Sequence, residues 1–259
     1  MIWPAEAIWE AVSPLLPGFT VEVLPEIDST NTELMRRAHA GQIEPVLLVA
    51  ERQTAGRGRL GRDWSSETLT QGRTLTFSLG LPLAPADWSG LSLAVGLSVV
   101  QSLHPQLRLK WPNDVWLHDR KLAGILIETA SVGQTRYVVI GVGINMVAPD
   151  ATGLRTLPAG LREVLPQVRA PDVLEHLMLP LVQAVQRFGM LGFAPLVGAF
   201  AARDVLQGRE VVCSDGLTGM ARGVDASGAL LVHTASGVRK ITSAEVSVRP
   251  VSLGDDQPQ

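Results

Sequence analysis

The sequence has a single cysteine, no long apolar run and no excess of positive charge. Cys213 alone cannot form an internal disulfide, which suits a reducing compartment. The formal net charge is −3, whereas a general nucleic-acid binder usually carries a basic excess. The longest apolar stretch, around residues 91–100, is interrupted by serine and glycine and is too short to cross a bilayer. The first residues lack the pattern of a secretory signal, so we expect a cytoplasmic protein with no membrane partner.

Several kinds of catalytic motif are also missing. The five histidines are scattered and have no metal-ligand spacing, so the sequence predicts no metal site built from protein ligands. There is no nucleophile elbow and no Walker loop. No cation flanks Cys213 to favour a thiolate, and we interpret it as a small buried side chain. The composition, 46% hydrophobic and 18% charged residues, predicts a folded globular protein.

The spacing of apolar residues predicts an α+β fold. We predict helices at residues 4–16, 30–40, 86–104, 173–188 and 194–203, and strands at 45–50, 75–81, 107–110, 115–117, 122–129 and 136–144. Thr30 and Glu33 have the spacing of a capping box, and Gly41 suits the end of that helix. After Gly208, short β-rich runs alternate with Gly, Asp and Ser, which is typical of a small β-barrel. We predict a large domain at 1–207, a barrel at 208–253 and a loose tail at 254–259.

Residues 56–62 read GRGRLGR, which places three arginines among three glycines in an acidic protein. Glycine lets the backbone approach a ligand closely, and arginine donates forked hydrogen bonds to carboxylate or phosphate. The segment therefore indicates a small, highly charged ligand such as a nucleotide. A solvated basic loop or an RNA contact stays open as an alternative. We predict residues 53–73 to be a long loop.

Three further segments could carry chemistry, each with a plain structural alternative. Residues 110–114 read KWPND and present Asn and Asp at a strand end, unless they form an ordinary turn. Lys121 opens an apolar strand and could direct its charge into a cleft, or lie in water at a hairpin turn. Residues 141–145 read GVGIN, where two glycines allow close approach of a flat ligand or mark a bulge. The missing third glycine excludes a dinucleotide fingerprint.

In their order and spacing, these segments resemble the biotin protein ligases. The matching segments are Ser29-Thr30-Asn31, 53–64, 110–114, 121–126 and 141–145, with 223–230 and 245–249 resembling the family's C-terminal barrel. The resemblance implies a mixed sheet flanked by helices, related to class II aminoacyl-tRNA synthetases, plus a small SH3-like β-barrel. Some members carry an N-terminal winged helix. Fewer than 30 residues precede Ser29, so we expect the short form that lacks this domain and binds no DNA.

The resemblance implies an enzyme that activates biotin with ATP to biotinyl-5′-AMP and attaches it to a lysine of a biotin carboxyl carrier domain of acetyl-CoA carboxylase or a similar enzyme. The biotin-binding residues that it implies are Ser29, Thr30, Asn31, Gln53, Gly56, Arg57, Lys121 and Gly124. The nucleotide-binding residues are Arg59, Arg62, Trp64, Asn113, Asn145 and Arg249. The catalytic residues are Lys121, Arg59 and Asp114. Mg²⁺ would accompany ATP without dedicated protein ligands, and 1–207 would form the catalytic domain.

One departure from the family concerns the barrel. Some relatives place a tryptophan against the adenine just before the position of Glu245, where this chain has residues 240–243, reading KITS. A lipoate or octanoyl ligase on the same fold is one alternative, and residues 56–62 and 110–114 argue against it. A non-catalytic RNA-binding module is another, and the few aromatic residues and the net charge argue against it. Relatives include monomers and dimers, and we expect a homodimer.

Overall fold

The computed structural model describes residues 1–64, 72–153, 156–242 and 248–250. The helices are α1 Ala5–Val12, α2 Thr30–His39, α3 Leu91–Leu103, α4 Ala170–Leu191 and α5 Val197–Ala201. The strands are β1 Thr20–Leu24, β2 Val46–Ala50, β3 Thr74–Pro82, β4 Arg108–Lys110, β5 Asp114–Leu117, β6 Arg120–Val132, β7 Thr135–Asn145, β8 Glu210–Cys213, β9 Thr218–Val224, β10 Leu230–Thr234, β11 Gly237–Ile241 and β12 Val248–Pro250. No helix in these ranges is long and apolar enough to span a membrane.

Seven strands form one mixed sheet in the order β1-β2-β3-β7-β6-β5-β4. β1 and β2 run parallel, and the other neighbours pair antiparallel. The central strands β3 and β7 are buried along nearly their whole length because helices cover both faces. The main core lies between the sheet and α1, α3 and α4. A smaller core around Leu34 and Tyr137 lies under α2 on the opposite face. This arrangement confirms the predicted α+β class.

One predicted helix start and one predicted helix cap were wrong. α3 begins at Leu91, not near residue 86: Asp87 accepts a hydrogen bond from the Ser89 N–H at 2.9 Å, and Gly90 then has φ +83°, outside the right-handed helical region. α2 is capped by Ser29, not Thr30, because the Ser29 backbone is extended and its Oγ accepts from the Thr32 N–H at 3.4 Å. The Thr30–Glu33 capping box is therefore absent.

The five remaining strands form an antiparallel sheet in the order β11-β10-β9-β8-β12. Residues 243–247, part of the last predicted β-run, lie outside the described residues, as does the predicted tail. Trp111 joins the two sheets, since its Nε1 donates to the Gly228 carbonyl at 3.0 Å. Cys213 is buried as predicted. Burial raises the pKa of its thiol, and the nearby Asp215 adds to the effect.

Asp204 lies beside β4, at the approach to the second sheet, and the burial of its carboxyl group makes the stability of the fold depend on pH. Its Oδ1 accepts from the Leu206 N–H at 2.9 Å, but its Oδ2 is buried without a hydrogen-bond partner in the described structure. Burial raises the pKa of Asp204 from 3.8 to about 6. Because the folded state holds the proton more tightly, the stabilisation is complete below pH 3.8 and is lost as the pH rises through about 6.

We therefore expect Asp204→Asn to stabilise the protein by about 1–2 kcal/mol at neutral pH, and to have little effect near pH 4. Thermal melts across this pH range would measure the difference between variant and wild type. Asp215→Asn is the matched control, since Asp215 accepts from the Leu217 N–H at 3.1 Å in the same local geometry but is exposed. A pH-independent difference for Asp204→Asn would contradict the assignment.

Candidate functional site

A cleft opens on the sheet face that carries α2. It contains about 860 Å³ of space, a volume that includes the part open to solvent. Most of the residues predicted for the site line this cleft: Ser29, Thr30, Asn31, Gln53, Arg57, Arg59, Arg62, Trp64, Asn113, Asp114, Lys121 and Gly124. Four segments that are far apart in the sequence therefore meet at one place.

Two predicted residues, Gly56 and Asn145, do not line the cleft, and the side chain of a third is not described. Gly56 is buried behind it, where a Cβ atom would lie 2.9 Å from Gln53 Nε2. Asn145 is buried at the end of β7 and donates from Nδ2 to the Lys121 carbonyl at 3.4 Å, so it supports the backbone of a lining residue. Arg249 belongs to β12, and its side chain lies outside the described part of the structure.

The alternation of side chains along β3, β6 and β7 explains why a cleft forms here. In a strand, successive side chains point to opposite faces of the sheet. On the face away from α2, these strands carry large apolar residues such as Phe77, Ile125 and Ile140, all buried in the main core. On the α2 face, they carry small or polar residues beyond the end of the helix, including Gly124 and Gly143, so the space above them stays open.

One wall of the cleft holds two lysines around a carboxylate. Lys121 Nζ lies 2.7 Å from Asp114 Oδ1, and Lys110 Nζ lies 3.8 Å from Asp114 Oδ2. Burial alone would raise the pKa of Asp114, but the charges of Lys121 and Lys110 outweigh burial and hold that pKa below its ordinary value. The Lys121 backbone is fixed by hydrogen bonds of 2.8 Å to Leu157 and Ala159. Lys121 is therefore aimed into the cleft, not into water at a hairpin turn.

Trp64 lies over a pair of glycines. Gly124 and Gly143 face each other in the β6–β7 register. A Cβ atom at Gly143 would lie 2.4 Å from Trp64 Cε2, and one at Gly124 would lie 3.2 Å from Trp64 Cζ3. Lys121 Nζ is 5.8 Å from the centre of the indole ring, a cation–π distance. The absence of a side chain at Gly143 therefore leaves room for the indole ring of Trp64.

The arginine–glycine segment forms a small closed turn. The Gly58 N–H donates to the Arg62 carbonyl at 2.7 Å, and the Trp64 N–H donates to the Gly56 carbonyl at 2.9 Å. Arg59 reaches back from this turn, with Nη1 3.4 Å from Asn113 Oδ1. Burial lowers the pKa of the Arg59 guanidinium, and the nearby Asp114 opposes this shift. Residues 65–71 of the predicted loop lie outside the described residues.

Sequence reasoning missed several polar residues of the site. Ser78 is fully buried, with Oγ 2.7 Å from Thr30 Oγ1 and 2.6 Å from Asn31 Oδ1. Glu128 Oε2 accepts from Asn31 Nδ2 at 2.8 Å. Lys110 also lines the cleft, although it was quoted only as part of a motif. The signal that could have found Ser78 is its period-two position with polar Thr74 and Thr76 in an otherwise apolar strand.

The two ends of the cleft differ chemically. Near α2, Thr30 donates from its backbone N–H and its hydroxyl to Gln53 Oε1, at 2.8 and 3.0 Å. This end suits an uncharged polar ring. At the other end, Lys121 and Arg59 suit anionic groups. The arrangement can therefore hold a ligand with a neutral head and an acidic tail, next to a second anion.

The comparisons with known proteins agree with this geometry. Residues 23–145 match the biotin/lipoate A/B protein ligase family, and residues 208–249 match the biotin protein ligase C-terminal domain. The chain is 35% identical to the bifunctional ligase/repressor BirA of Escherichia coli over 247 residues, which cover 90% of this chain and 75% of that protein. It is 33% identical to the biotin–[acetyl-CoA-carboxylase] ligase of Paracoccus denitrificans over 237 residues, covering 86% and 98%.

A solved structure of the biotin protein ligase from Aquifex aeolicus, in complex with biotin and ATP, has a similar fold. Its TM-score to this chain is 0.75 at 29% sequence identity, covering 89% of this chain and 99% of that one.

Proposed function

Because this chain belongs to the biotin protein ligases, we propose that it activates biotin with ATP to biotinyl-5′-AMP and transfers the biotinyl group to a lysine of a biotin carboxyl carrier domain. The observation that supports this most directly is the cleft itself. It joins a neutral polar end, formed by Thr30 and Gln53, to a cationic end, formed by Lys121 and Arg59. The names of two relatives indicate acetyl-CoA carboxylase as the source of the acceptor domain.

In this proposal, biotin lies with its ureido ring near α2 and its carboxylate near Lys121. The ring contacts Ser29, Thr30 and Gln53, and Gly124 lies beneath the valeryl chain. The nucleotide lies near Arg59, with Asn113 beside it. Asn31 and Arg57 are further assigned to biotin, and Arg62, Trp64 and Arg249 to the nucleotide. Gly56 and Asn145 act through neighbouring residues, since Gly56 packs against Gln53 and Asn145 donates to the Lys121 carbonyl. Residues 1–207 carry the chemistry, and 208–253 form the accessory barrel.

The first step joins two anions. A carboxylate oxygen of biotin attacks the α-phosphorus of ATP, a new P–O bond forms, and the bond to pyrophosphate breaks. Lys121 and Arg59 offset the repulsion and stabilise the spreading negative charge, which is the usual main source of rate in such transfers. Asp114 Oδ1 lies 2.7 Å from the Lys121 ammonium and pairs with its charge. The arriving anions compete for that lysine, so Asp114 keeps it in position until substrate binds.

Magnesium enters as MgATP, held by phosphate oxygens and water. Within the described ranges, no group of three or more His, Cys, Asp or Glu side chains could hold an ion.

In the second step, the amine of the acceptor lysine attacks the acyl carbon. The anhydride C–O bond breaks, AMP leaves with the electron pair, and the ammonium proton passes to solvent. The first step uses ATP and the second uses a carrier domain. We place both steps in the cytoplasm, with the chain as a homodimer.

Mass spectrometry on the purified protein incubated with biotin and MgATP would test the activity. We expect biotinyl-5′-AMP bound to the protein and one pyrophosphate released for each. Lipoate, added in competition, should not form an adenylate. Adenylation of lipoate in preference to biotin, or no adenylate from either acid, would refute the proposal.

Arg59 is expected to retain the intermediate. It extends from the turn at residues 56–64 to Asn113 and is partly buried, so the turn is tied to the cleft wall. Arg59→Ala should shorten the lifetime of bound, labelled biotinyl-5′-AMP by about tenfold, the effect of one charge-assisted hydrogen bond. Release is measured by rapid filtration. Arg222→Ala, an exposed change in β9, is the control and should retain the adenylate as wild type does. Wild-type retention in Arg59→Ala would disprove this role.

A further inference from the structure

A row of five polar side chains runs beneath the neutral end of the cleft, and its middle members Asn31, Ser78 and Thr30 are buried. Glu128 Oε2 is 2.8 Å from Asn31 Nδ2, and Asn31 Oδ1 is 2.6 Å from Ser78 Oγ. Ser78 Oγ is 2.7 Å from Thr30 Oγ1, and Thr30 Oγ1 is 3.0 Å from Gln53 Oε1. Ser78 and Glu128 do not line the cleft, whereas the other three do.

The two amides in this row have fixed orientations. A carboxylate only accepts hydrogen bonds, so Glu128 requires the Asn31 amide to turn its nitrogen toward it and its oxygen toward Ser78. At the other end, the Thr30 backbone N–H donates to Gln53 Oε1 at 2.8 Å. The Gln53 amide therefore also turns its oxygen toward the hydroxyl pair. Each end of the pair of hydroxyls meets a carbonyl oxygen.

The hydrogen atoms in this arrangement can be counted. From Asn31 Oδ1 through Ser78 Oγ and Thr30 Oγ1 to Gln53 Oε1 there are three oxygen–oxygen contacts, all between 2.6 and 3.0 Å. A hydroxyl group donates one hydrogen, and only Ser78 and Thr30 carry one. Two hydrogens cannot fill three contacts, so one pair of oxygens meets lone pair to lone pair. A buried polar group without its hydrogen bond is costly.

We propose that this cluster lacks one hydrogen-bond donor and that a ureido N–H of biotin supplies it. Glu128 is the positioning residue that creates the shortage, because it holds the Asn31 amide in one orientation. The inference rests on the proposed function and deepens it. Glu128, a side chain that does not touch the ligand, thus determines the selectivity for an N–H donor at the neutral end of the cleft.

Two variants remove the shortage in different ways. In Glu128→Leu, only the longer contact from Asn31 Nδ2 to the Leu126 carbonyl, at 3.4 Å, still holds the amide, so Asn31 can turn its Nδ2 toward Ser78 and supply a third hydrogen. In Glu128→Gln, the new amide can donate to Asn31 Oδ1, which lets Asn31 turn its Nδ2 toward Ser78 without a change in side-chain size.

The experiment is calorimetric titration of each variant with biotin and with biotin methylated on a ureido nitrogen. We expect wild type to prefer biotin strongly, and the preference to fall about tenfold in Glu128→Leu and in Glu128→Gln. The steric cost of the methyl group is common to all of them and cancels in the ratio. Thr74→Val, which removes another buried hydroxyl from β3, is the control and should keep the wild-type ratio.

A merely structural role would weaken the binding of both ligands equally. An unchanged ratio of the two affinities in the two variants would therefore overturn the inference. Biotin binding by the wild type would still support the proposed function. If Glu128→Leu does not fold, Glu128→Gln decides alone. No binding of biotin by wild type would refute the proposed function itself, and the inference with it.

Discussion

Replacing Lys121 with alanine is expected to slow formation of biotinyl-5′-AMP by about 10²–10³-fold, the typical loss when one preorganised electrostatic group is removed. Lys121 is fixed by backbone hydrogen bonds on both sides, its ammonium lies against Asp114, and the ring of Trp64 faces it at 5.8 Å. It is therefore positioned before substrate arrives. Its removal also leaves Asp114 as a buried anion with less compensation, which repels an incoming carboxylate.

Biotin-dependent exchange of labelled pyrophosphate into ATP measures this first step alone. Lys240→Ala is the matched control, since Lys240 is 68% exposed in β11 and pairs with Asp225 at 2.9 Å, away from the cleft. Lys121→Arg should recover part of the rate because it keeps the charge but not the geometry. Exchange within a few-fold of wild type in Lys121→Ala would show that another group supplies the charge.

The sequence predicted the central strands because their signals are local. β3 and β7 are rich in apolar and β-branched residues, and the hairpin between β5 and β6 turns at His118 and Asp119, both with positive φ. β1 went unpredicted, although residues 19–23 read FTVEV and alternate between apolar and polar, as a half-buried strand does. Its pairing with β2 is decided by long-range contacts, which no local pattern reports.

The same distinction applies to the site. Each motif was visible as a run of neighbouring residues, and their common order indicated that they belong together. The supporting network was not visible, because its hydrogen bonds join residues far apart in the chain. Ser78 and Asn31 are separated by 47 positions, and Asn31 and Glu128 by 97. A lone serine in a strand and a lone glutamate in another give no sign that one asparagine lies between them.

The two glycines of the segment at residues 141–145 are expected to fail differently when replaced. A Cβ atom at Gly141 would lie 2.1 Å from Asn31 Oδ1, inside the contact distance. Asn31 cannot withdraw, because Glu128 and Ser78 hold it from two sides. Gly141→Ala should therefore cost about 2–4 kcal/mol of unfolding free energy, from overpacking and broken buried hydrogen bonds. Urea denaturation measures it, with Gly198→Ala as the control, since no atom lies within 4 Å of that Cβ position.

At Gly143 the same change meets Trp64 Cε2 at 2.4 Å, but Trp64 ends a turn that can shift as a unit. Gly143→Ala should thus cost less stability than Gly141→Ala while releasing bound biotinyl-5′-AMP faster, because the displaced indole no longer lies over the cleft floor. The two substitutions therefore separate the stability of the fold from the retention of biotinyl-5′-AMP, two roles that the segment at residues 141–145 combines. If both variants lost stability equally and held the adenylate equally, Trp64 would be a fixed part of the core, and retention of the intermediate would have to depend on Arg59 alone.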